Sequence, residues 1–451
     1  MTKTVTDRTG LASGSSLGGT VIQRGDADYD QARRVWNGMI DRSPAVIVRP
    51  RTTADVVAAV NHARDNGLVL AVRGGGHNAG GLAMCDDGLV IDLSAMREVT
   101  VDPQRRSATA QGGALWRDFD AATHPHGLAT TGGLISTTGV GGLTLGGGLG
   151  WLMRQHGLAC DNVTAVEIVT ADGTVRRASA TENQDLFWAV RGGGGNFGVV
   201  TSFEFRLHPV HTLYAGMLVY PGPRTPEVLR RYRDVAMNAP DELTVFAAMM
   251  TSPEGMPIIA VLTAYNGPVS AAEAAIKPLR DLGPVADQVG QMPYPALQSM
   301  LDEGFPSGLH VYWRSDFLSA LPDELIDALY DRFQAITSPL SALLIEQFGG
   351  AVARVPADET AFAQRDALFN LAVIARWTDP ATADTHTGWA RQSSDAARAF
   401  TSGGVYVNYL GAEGAERVRA AYGAKYDRLV AVKRKYDPSN LFRMNQNIPP
   451  G

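Results

Sequence analysis

Residues 73–81 read Arg73-Gly74-Gly75-Gly76-His77-Asn78-Ala79-Gly80-Gly81. Gly74-x-Gly76-x-x-Ala79 formally matches the fingerprint of dinucleotide-binding βαβ units, which requires a helix to follow at once and hold the pyrophosphate at its N-terminus. Here Gly80, Gly81, Asp86, Asp87 and Gly88 follow without helical period, and a strand comes next. That reading is disfavoured. What is left is a loop of small residues whose backbone N–H groups can form an anion nest, with Arg73 as an added charge. His77 sits in its middle, either as a turn residue making hydrogen bonds or as a nucleophile held against a cofactor.

The loop closes a readable unit. Ala45–Arg49 is a β-branched, apolar run. Thr53 to Asn66 puts Val56, Val57, Val60 and Ala63 on one helical face, with Thr53 as N-cap and Gly67 just past the end. Leu68–Val72 is a second strand. Beyond the loop, Leu89–Leu93, Val99–Val101 and Ala108–Gln111 read as short strands, and Leu115–His126 as a helix. Val163–Thr170 and Val175–Ala178 around Asp172-Gly173 read as a hairpin. Glu182–Val190 is helical, and Val199–Leu207 reads as a strand.

Glycine makes up 49 of 451 residues, against a usual ~7%, and the excess is clustered. Five lie in 74–81, nine in 132–150 and five in 192–198. Such clusters press backbone against something large and flat, or charged. In the second, Leu134, Ile135, Val140, Leu143, Leu145 and Leu149 interleave with the glycines, which is unlike a flexible linker. The third, Arg191-Gly192-Gly193-Gly194-Gly195-Asn196-Phe197-Gly198, reads equally well as a helix-to-strand turn.

From Leu213 to about Phe400 the clusters stop. Strand-like runs (Tyr214–Tyr220, Leu243–Met250, Ile258–Ala264, Leu309–Trp313, Leu343–Phe348, Leu371–Trp377) alternate with helical stretches (Pro226–Ala236, Ala271–Leu282, Pro322–Thr337, Thr385–Ala399). This predicts an α+β unit with a sheet covered on one face. Residues 412–436 read as one helix stopped by Pro438. The segments Tyr406-Val407-Asn408-Tyr409 and Phe442 to Pro450 set amides beside aromatics, as caps or along the edge of a bound ring.

Length gives a prior of two to four domains. Apolar residues at 45% and charged residues at 19% exclude a disordered chain. No run approaches the ~20 apolar residues of a membrane helix, and the first twenty lack the apolar core of a secretory signal. The net charge of −6 argues against nucleic acid. Two cysteines, Cys85 and Cys160, make no disulfide framework. There is no G-x-S-x-G elbow between a predicted strand and helix, and no H-E-x-x-H or P-loop. His124-Pro125-His126 lacks the texture of a metal site, and no metal is expected. A soluble, cytoplasmic protein without membrane partners is expected, its oligomeric state left open.

Together, R-G-G-G-H-N, the T-G-G…G-V-G-G…G-G-G-x-G run, D-N-V, the D-L-F-W-A-V-R-G-G-G-x-N-F-G-V-V block and Y-D-P-x-N-x-F-R resemble the vanillyl-alcohol-oxidase/berberine-bridge-enzyme superfamily of FAD-linked oxidases. The similarity is strong over roughly 40–211 and 400–450 and weak between. It implies an α+β fold: a two-subdomain FAD-binding domain of the PCMH type, and a substrate domain whose antiparallel sheet is covered by helices. On this basis 1–38 is an N-terminal segment, 39–211 the FAD-binding domain, 212–400 the substrate domain and 401–451 a segment returning to the FAD domain. The resemblance makes His77 the covalent attachment point for the flavin 8α-methyl. Ile135 stands where bicovalent relatives carry a second-link cysteine, so one link is expected.

By the same resemblance the cofactor would lie on Arg73, Gly74, Gly75, Gly76, His77, Asn78, Gly80, Thr131, Gly132, Gly133, Thr137, Thr138, Gly139, Gly141, Gly142 and Gly148. Asn162 and Val169 would sit toward the adenine, and Asn408, Asn445 and Asn447 along the flavin. Thr138 falls where the family gates oxygen. The Lys-x-Gln pair of plant members appears as Asn370-Leu371-Ala372, so that base apparatus is absent, and Tyr406 or Tyr409 is left to orient or deprotonate substrate. The implied activity is hydride abstraction from a C–H next to O or N of a small molecule, with O2 as acceptor and H2O2 as product. The alternatives are a dehydrogenase with another acceptor, an enzyme of oxidative cyclisation, or a flavin binder without turnover.

Overall fold

The computed structural model describes residues 17–210 and 212–451. The first sixteen positions of the expected N-terminal segment, and His211 at the expected domain boundary, lie outside the described residues.

The first sheet has the spatial order Thr20–Gln23, Val46–Arg49, Leu89–Asp92, Leu70–Arg73. The first pair is antiparallel, and Val46–Arg49 and Leu70–Arg73 both run parallel to Leu89–Asp92. The crossover helix Thr53–Asp65 buries Val56, Ala59, Val60 and Ala63 against Val46, Val48, Leu70, Leu89 and Ile91. Its N-cap is Thr52 rather than Thr53: the Thr52 hydroxyl accepts from Asp55 N–H while the Asp55 carboxylate accepts from Thr52 N–H. That reciprocal box favours the earlier start. Gly67 just past the helix takes φ +62°, as a left-handed terminator requires.

The second sheet is antiparallel, in the order Val99–Asp102, Ser107–Gln111, Val199–Arg206, Val163–Val169, Val175–Ser179. The third and largest is also antiparallel. Its order is Ala286–Asp287, Thr212–Pro221, Pro257–Tyr265, Leu243–Thr251, Ala342–Gln347, Phe369–Trp377, His310–Leu318, with Gly290–Pro293 also on Thr212–Pro221. The α+β class read from the sequence is what folds.

Period-2 alternation sends the large sheet's side chains to two different cores. Val245, Leu343, Ile345, Leu371 and Val373 pack under the helices Thr225–Met237, Val269–Arg280, Asp323–Gln334 and Ala383–Ala397. Phe246, Ala248, Ala260, Leu262 and Phe317 face the other way, onto Leu149, Trp151, Leu152 and Met153. Burial on both faces explains why these strands read as unbroken apolar runs. Arg154 stitches this seam. Buried and paired with no carboxylate among the described residues, it donates to the carbonyls of Ala239, Leu243 and Phe348.

One expectation fails locally. Residues 412–436 form two helices, Ala415–Tyr422 and Tyr426–Tyr436, because Gly423 turns at φ +48° between them. Within the second glycine cluster, Val140–Leu145 is a short helix; buried packing of Val140 and Leu145 overrides its poor propensity.

The candidate active site

The loop 74–78 leaves the strand Leu70–Arg73 where Gly76 takes φ +71°, a conformation that favours glycine. Its backbone lies directly on the second glycine cluster. A Cβ on Gly75 would fall 2.3 Å from the Gly139 nitrogen, and one on Gly139 would fall 2.3 Å from the Gly75 nitrogen. At Gly142, by contrast, a Cβ would meet nothing within 4 Å. The third cluster joins through Leu145, whose carbonyl accepts from both Gly192 and Gly194 N–H. Asn196 ties that cluster to the C-terminal segment, its amide donating to the Gly193 and Gln446 carbonyls and its oxygen accepting from Ile448 N–H. Beneath it, the fully buried Lys433 donates to the carbonyls of Asn196 and Phe442 and to the Asp437 carboxylate.

These clusters form the floor of one elongated cavity, with about 270 Å³ accessible to water. Gly74, Gly75, Gly76, Asn78, Gly139, Gly141, Gly142, Gly194, Gly195, Gly198 and Asn445 line it below. Trp313, Leu344 and Ile374 of the large sheet roof it, and Trp36, Leu134, Leu301 and Phe305 form walls. A floor largely bare of side chains under an apolar roof suits a flat ring system, and stacked N–H groups of loop and helix start suit a diphosphate. At Gly142, which lines the cavity, the open side leaves main chain bare toward such a ligand. On this ground the residues present fit FAD.

His77 lies on the cavity wall. Trp36 stacks on its ring, centroids 5.3 Å apart and 14° from parallel. Its Nε2 is 3.0 Å from the Thr137 hydroxyl. Burial pushes its pKa down to about 4 against the upward pull of Asp302, so the imidazole is neutral at ordinary pH and keeps a nucleophilic lone pair. The Asp302 carboxylate accepts from the Ser136 N–H and hydroxyl, fastening the loop 301–305 beside Ile135.

The two tyrosines have different surroundings, although both line the cavity. The Tyr406 oxygen accepts from Gly148 N–H at 3.0 Å, Leu149 N–H at 3.2 Å and the Asn408 amide at 2.9 Å. Three donors leave it little capacity to accept from a ligand. Tyr409 instead donates to Glu346 Oε1 at 2.8 Å, and Asn370 donates to Glu346 Oε2 at 2.6 Å. Glu346 is fully buried, and burial raises its pKa to about 7 despite those two hydrogen bonds. Burial and the Glu346 charge hold the Tyr409 phenol well above its ordinary value.

Of the sequence-predicted residues, the cavity wall gathers Gly74, Gly75, Gly76, His77, Asn78, Thr138, Gly139, Gly141, Gly142, Tyr406, Asn408, Tyr409 and Asn445, with Ile135 beside them. Others stand behind it. Thr137 holds His77, Gly148 holds Tyr406, and Arg73 donates to the Ala32 carbonyl. Gly80 packs on Gly411, and Asn447 lies next to wall residue Gln446. Five do not reach the wall, being taken up by packing or by hydrogen bonds of their own neighbourhood. Thr131 donates to the Gly157 carbonyl, and Gly132 packs on Trp116 and Gln298. Gly133 packs on Leu143, and Asn162 binds the carbonyls of His156 and Leu158 and the His208 ring. Val169, the last residue of its strand, is buried in the core against the first sheet. Sequence reasoning missed Glu346, Trp36 and Trp313. A lone carboxylate inside the apolar run Ala342–Gln347 was the available signal for the first.

The family model described as FAD binding domain matches residues 44–179, and that described as berberine and berberine-like matches 405–449. An FAD-linked oxidoreductase of Dictyostelium discoideum is 33% identical, over 96% of this chain and 95% of its own. The (R)-6-hydroxynicotine oxidase of Paenarthrobacter nicotinovorans is 34% identical, over 98% of each chain. The crystal structure of 6-hydroxy-D-nicotine oxidase from Arthrobacter nicotinovorans superposes with a TM-score of 0.91 at 31% identity, over 98% of this chain and 100% of that one.

Proposed function

The chain belongs to the vanillyl-alcohol-oxidase/berberine-bridge-enzyme superfamily of FAD-linked oxidoreductases, and from that premise we propose that it is an oxidase of a small organic molecule bearing a C–H next to nitrogen or oxygen. FAD, when bound, supplies the two-electron acceptor that takes the hydride, and reoxidation by O2 yields H2O2. Residues 39–211 with 401–451 hold the cofactor, and 212–400 cover it. The observation that carries this reading is the cavity whose floor is glycine backbone and whose wall carries both His77 and Tyr409.

Within it, Gly74–Asn78 and Gly139–Gly142 receive ring and diphosphate. His77 is the tether. Thr137 occupies Nε2, which leaves Nδ1 as the bonding nitrogen, and Ile135 offers no second link. Tyr409 accepts the proton of the substrate N–H or O–H while passing its own to Glu346, and Asn370 keeps the receiving carboxylate in line. Tyr406 fixes the main chain at Gly148 and Leu149 rather than moving a proton.

The test is direct. Acid precipitation of the purified protein should leave yellow flavin in the pellet, and His77→Ala should move it to the supernatant. Wild type that releases all its flavin refutes the tether. Substrate turnover should be matched by peroxide; a reduced flavin that air fails to reoxidise refutes the oxidase.

A further inference from the structure

His77 is carried by backbone that does little to orient it. Gly74, Gly75 and Gly76 precede it, and Gly76 turns at φ +71°. What fixes the imidazole comes from elsewhere. The Thr137 hydroxyl, 3.0 Å from Nε2, anchors one corner of the ring. One anchored corner still lets the ring swing about that point. Trp36 removes the swing. Its indole lies 14° from parallel to the imidazole with centroids 5.3 Å apart, an offset stack that sets the ring plane.

Trp36 is itself held from two sides. Its backbone N–H donates to the carbonyl of Gly76, the residue before His77. Its indole N–H donates to the Phe305 carbonyl, and Trp313 meets it edge-on at 5.7 Å and 65°. Its own carbonyl accepts from Gly308 N–H. The next residue, Asn37, is buried and uses every hydrogen-bonding position of its amide. The nitrogen donates to the Ala79 and Val311 carbonyls, and the oxygen accepts from Met39 and Val311 N–H. Gly38 N–H then donates to the Leu309 carbonyl, and a Cβ on Gly38 would stand 2.2 Å from the Gly308 oxygen. The strap 36–38 therefore joins the loop 74–81 to the segment 305–311, which carries the wall residue Phe305.

We propose that Trp36 is a positioning residue for covalent attachment at His77: it keeps the imidazole in one plane, so that the nitrogen lone pair, which lies in that plane, has a single direction into the cavity. This rests on the reading of His77 as the flavin tether. Attachment joins an imidazole nitrogen to the 8α-methyl carbon. One proton from the methyl group, one from the imidazole and two electrons are given up, and all pass to O2 as H2O2. An imidazole without its stack spreads over about six staggered states, and misplacement of a nucleophile adds to that loss, so attachment should slow by about tenfold or more. Because the strap also binds 305–311, the frame is complete only when that segment of the large-sheet unit is docked.

The experiment compares purified wild type, Trp36→Phe, Trp36→Leu and Trp36→Ala. The share of flavin retained in the acid pellet is measured as purified, then followed in air with saturating FAD, where the limiting rate separates attachment from affinity. Phenylalanine keeps a flat face, and leucine keeps only apolar bulk. The phenylalanine variant should hold its flavin in the pellet as wild type does. Leucine and alanine should bind flavin that stays in the supernatant, and attach it about tenfold or more slowly than phenylalanine. Equal covalent shares for phenylalanine and leucine, high or low, overturn the inference with the tether intact. In a His77→Ala background nothing is left to position, so adding Trp36→Leu should leave the FAD dissociation constant within about twofold. A larger loss there means that Trp36 serves the cofactor directly, and overturns the inference as well. Wild type that releases all its flavin overturns the tether reading itself.

Discussion

Glu346→Gln should make the protein more stable and a poorer catalyst at the same time. The wild-type carboxyl has no exposed surface, and burial raises it from 4.5 to about 7. Below 4.5 it is neutral in folded and unfolded chains alike. Between 4.5 and about 7 the unfolded chain gives up the proton and the folded chain keeps it, so stability is lost as pH rises through that window. At ~1.4 kcal/mol per unit, the penalty above neutrality is about 3 kcal/mol. Glutamine removes the charge and keeps the contacts. Its carbonyl accepts from Tyr409, and Asn370 can turn so that its oxygen, which has no hydrogen-bond partner among the described residues, accepts from the new amide. For a 451-residue chain at ~2 cal/mol/K of unfolding entropy per residue, the gain is roughly 3 °C in Tm near pH 8, fading to nothing near pH 5. In activity, wild-type flavin reduction should rise through about pH 7 as Glu346 becomes able to take the Tyr409 proton. The variant should lose that step in the profile and ~100-fold or more in rate. Thermal melts at two pH values and stopped-flow reduction across pH decide it. A variant that melts below wild type near pH 8, or an unchanged pH profile, refutes the relay.

Gly75→Ala should fold poorly and purify without flavin, because its Cβ would meet the Gly139 nitrogen at 2.3 Å; the flavin-to-protein absorbance ratio reads it. Lys433→Met leaves the Asp437 carboxylate buried without its cation and should cost about 3–5 kcal/mol in urea unfolding. The Lys433→Met, Asp437→Asn double variant should recover part of that loss. The stacked pair His156 and His208, centroids 3.8 Å apart, is held neutral, with burial lowering the pKa values to about 4 and about 3. Unfolded histidines take up protons below about 6.5, so the pair should destabilise the protein as pH falls from there, and His208→Asn should flatten that part of the stability curve.

The glycine floor was legible because backbone that must lie close to a ligand excludes Cβ atoms, and that exclusion is written locally. The roof was not. Ala342–Gln347 reads as one more apolar strand, and only its pairing with Phe369–Trp377 sets Glu346 opposite Asn370. The motif Tyr406-Val407-Asn408-Tyr409 named two candidate bases, but spacing could not tell that Gly148 and Leu149 N–H groups occupy one of them. Thr131 and Asn162 lay in the right texture for cofactor contact, yet their polar atoms answer to carbonyls of their own neighbourhood. Position 423 shows the limit of periodicity: Val418, Tyr422, Tyr426 and Leu429 keep helical spacing across a glycine that breaks the helix.

The cavity takes its walls from Trp36 at one extreme of the numbering and from Met444, Asn445 and Gln446 at the other. A ribosome therefore finishes the nest at 74–78 hundreds of codons before it makes the strip that closes the same groove. An emerging chain holds half a binding site with its glycines bare to water, and nothing synthesised early can complete it. Flavin capture is thus a late event in the life of the molecule, and the attachment proposed for His77 would record that the chain as far as Gln446 had already been made and packed.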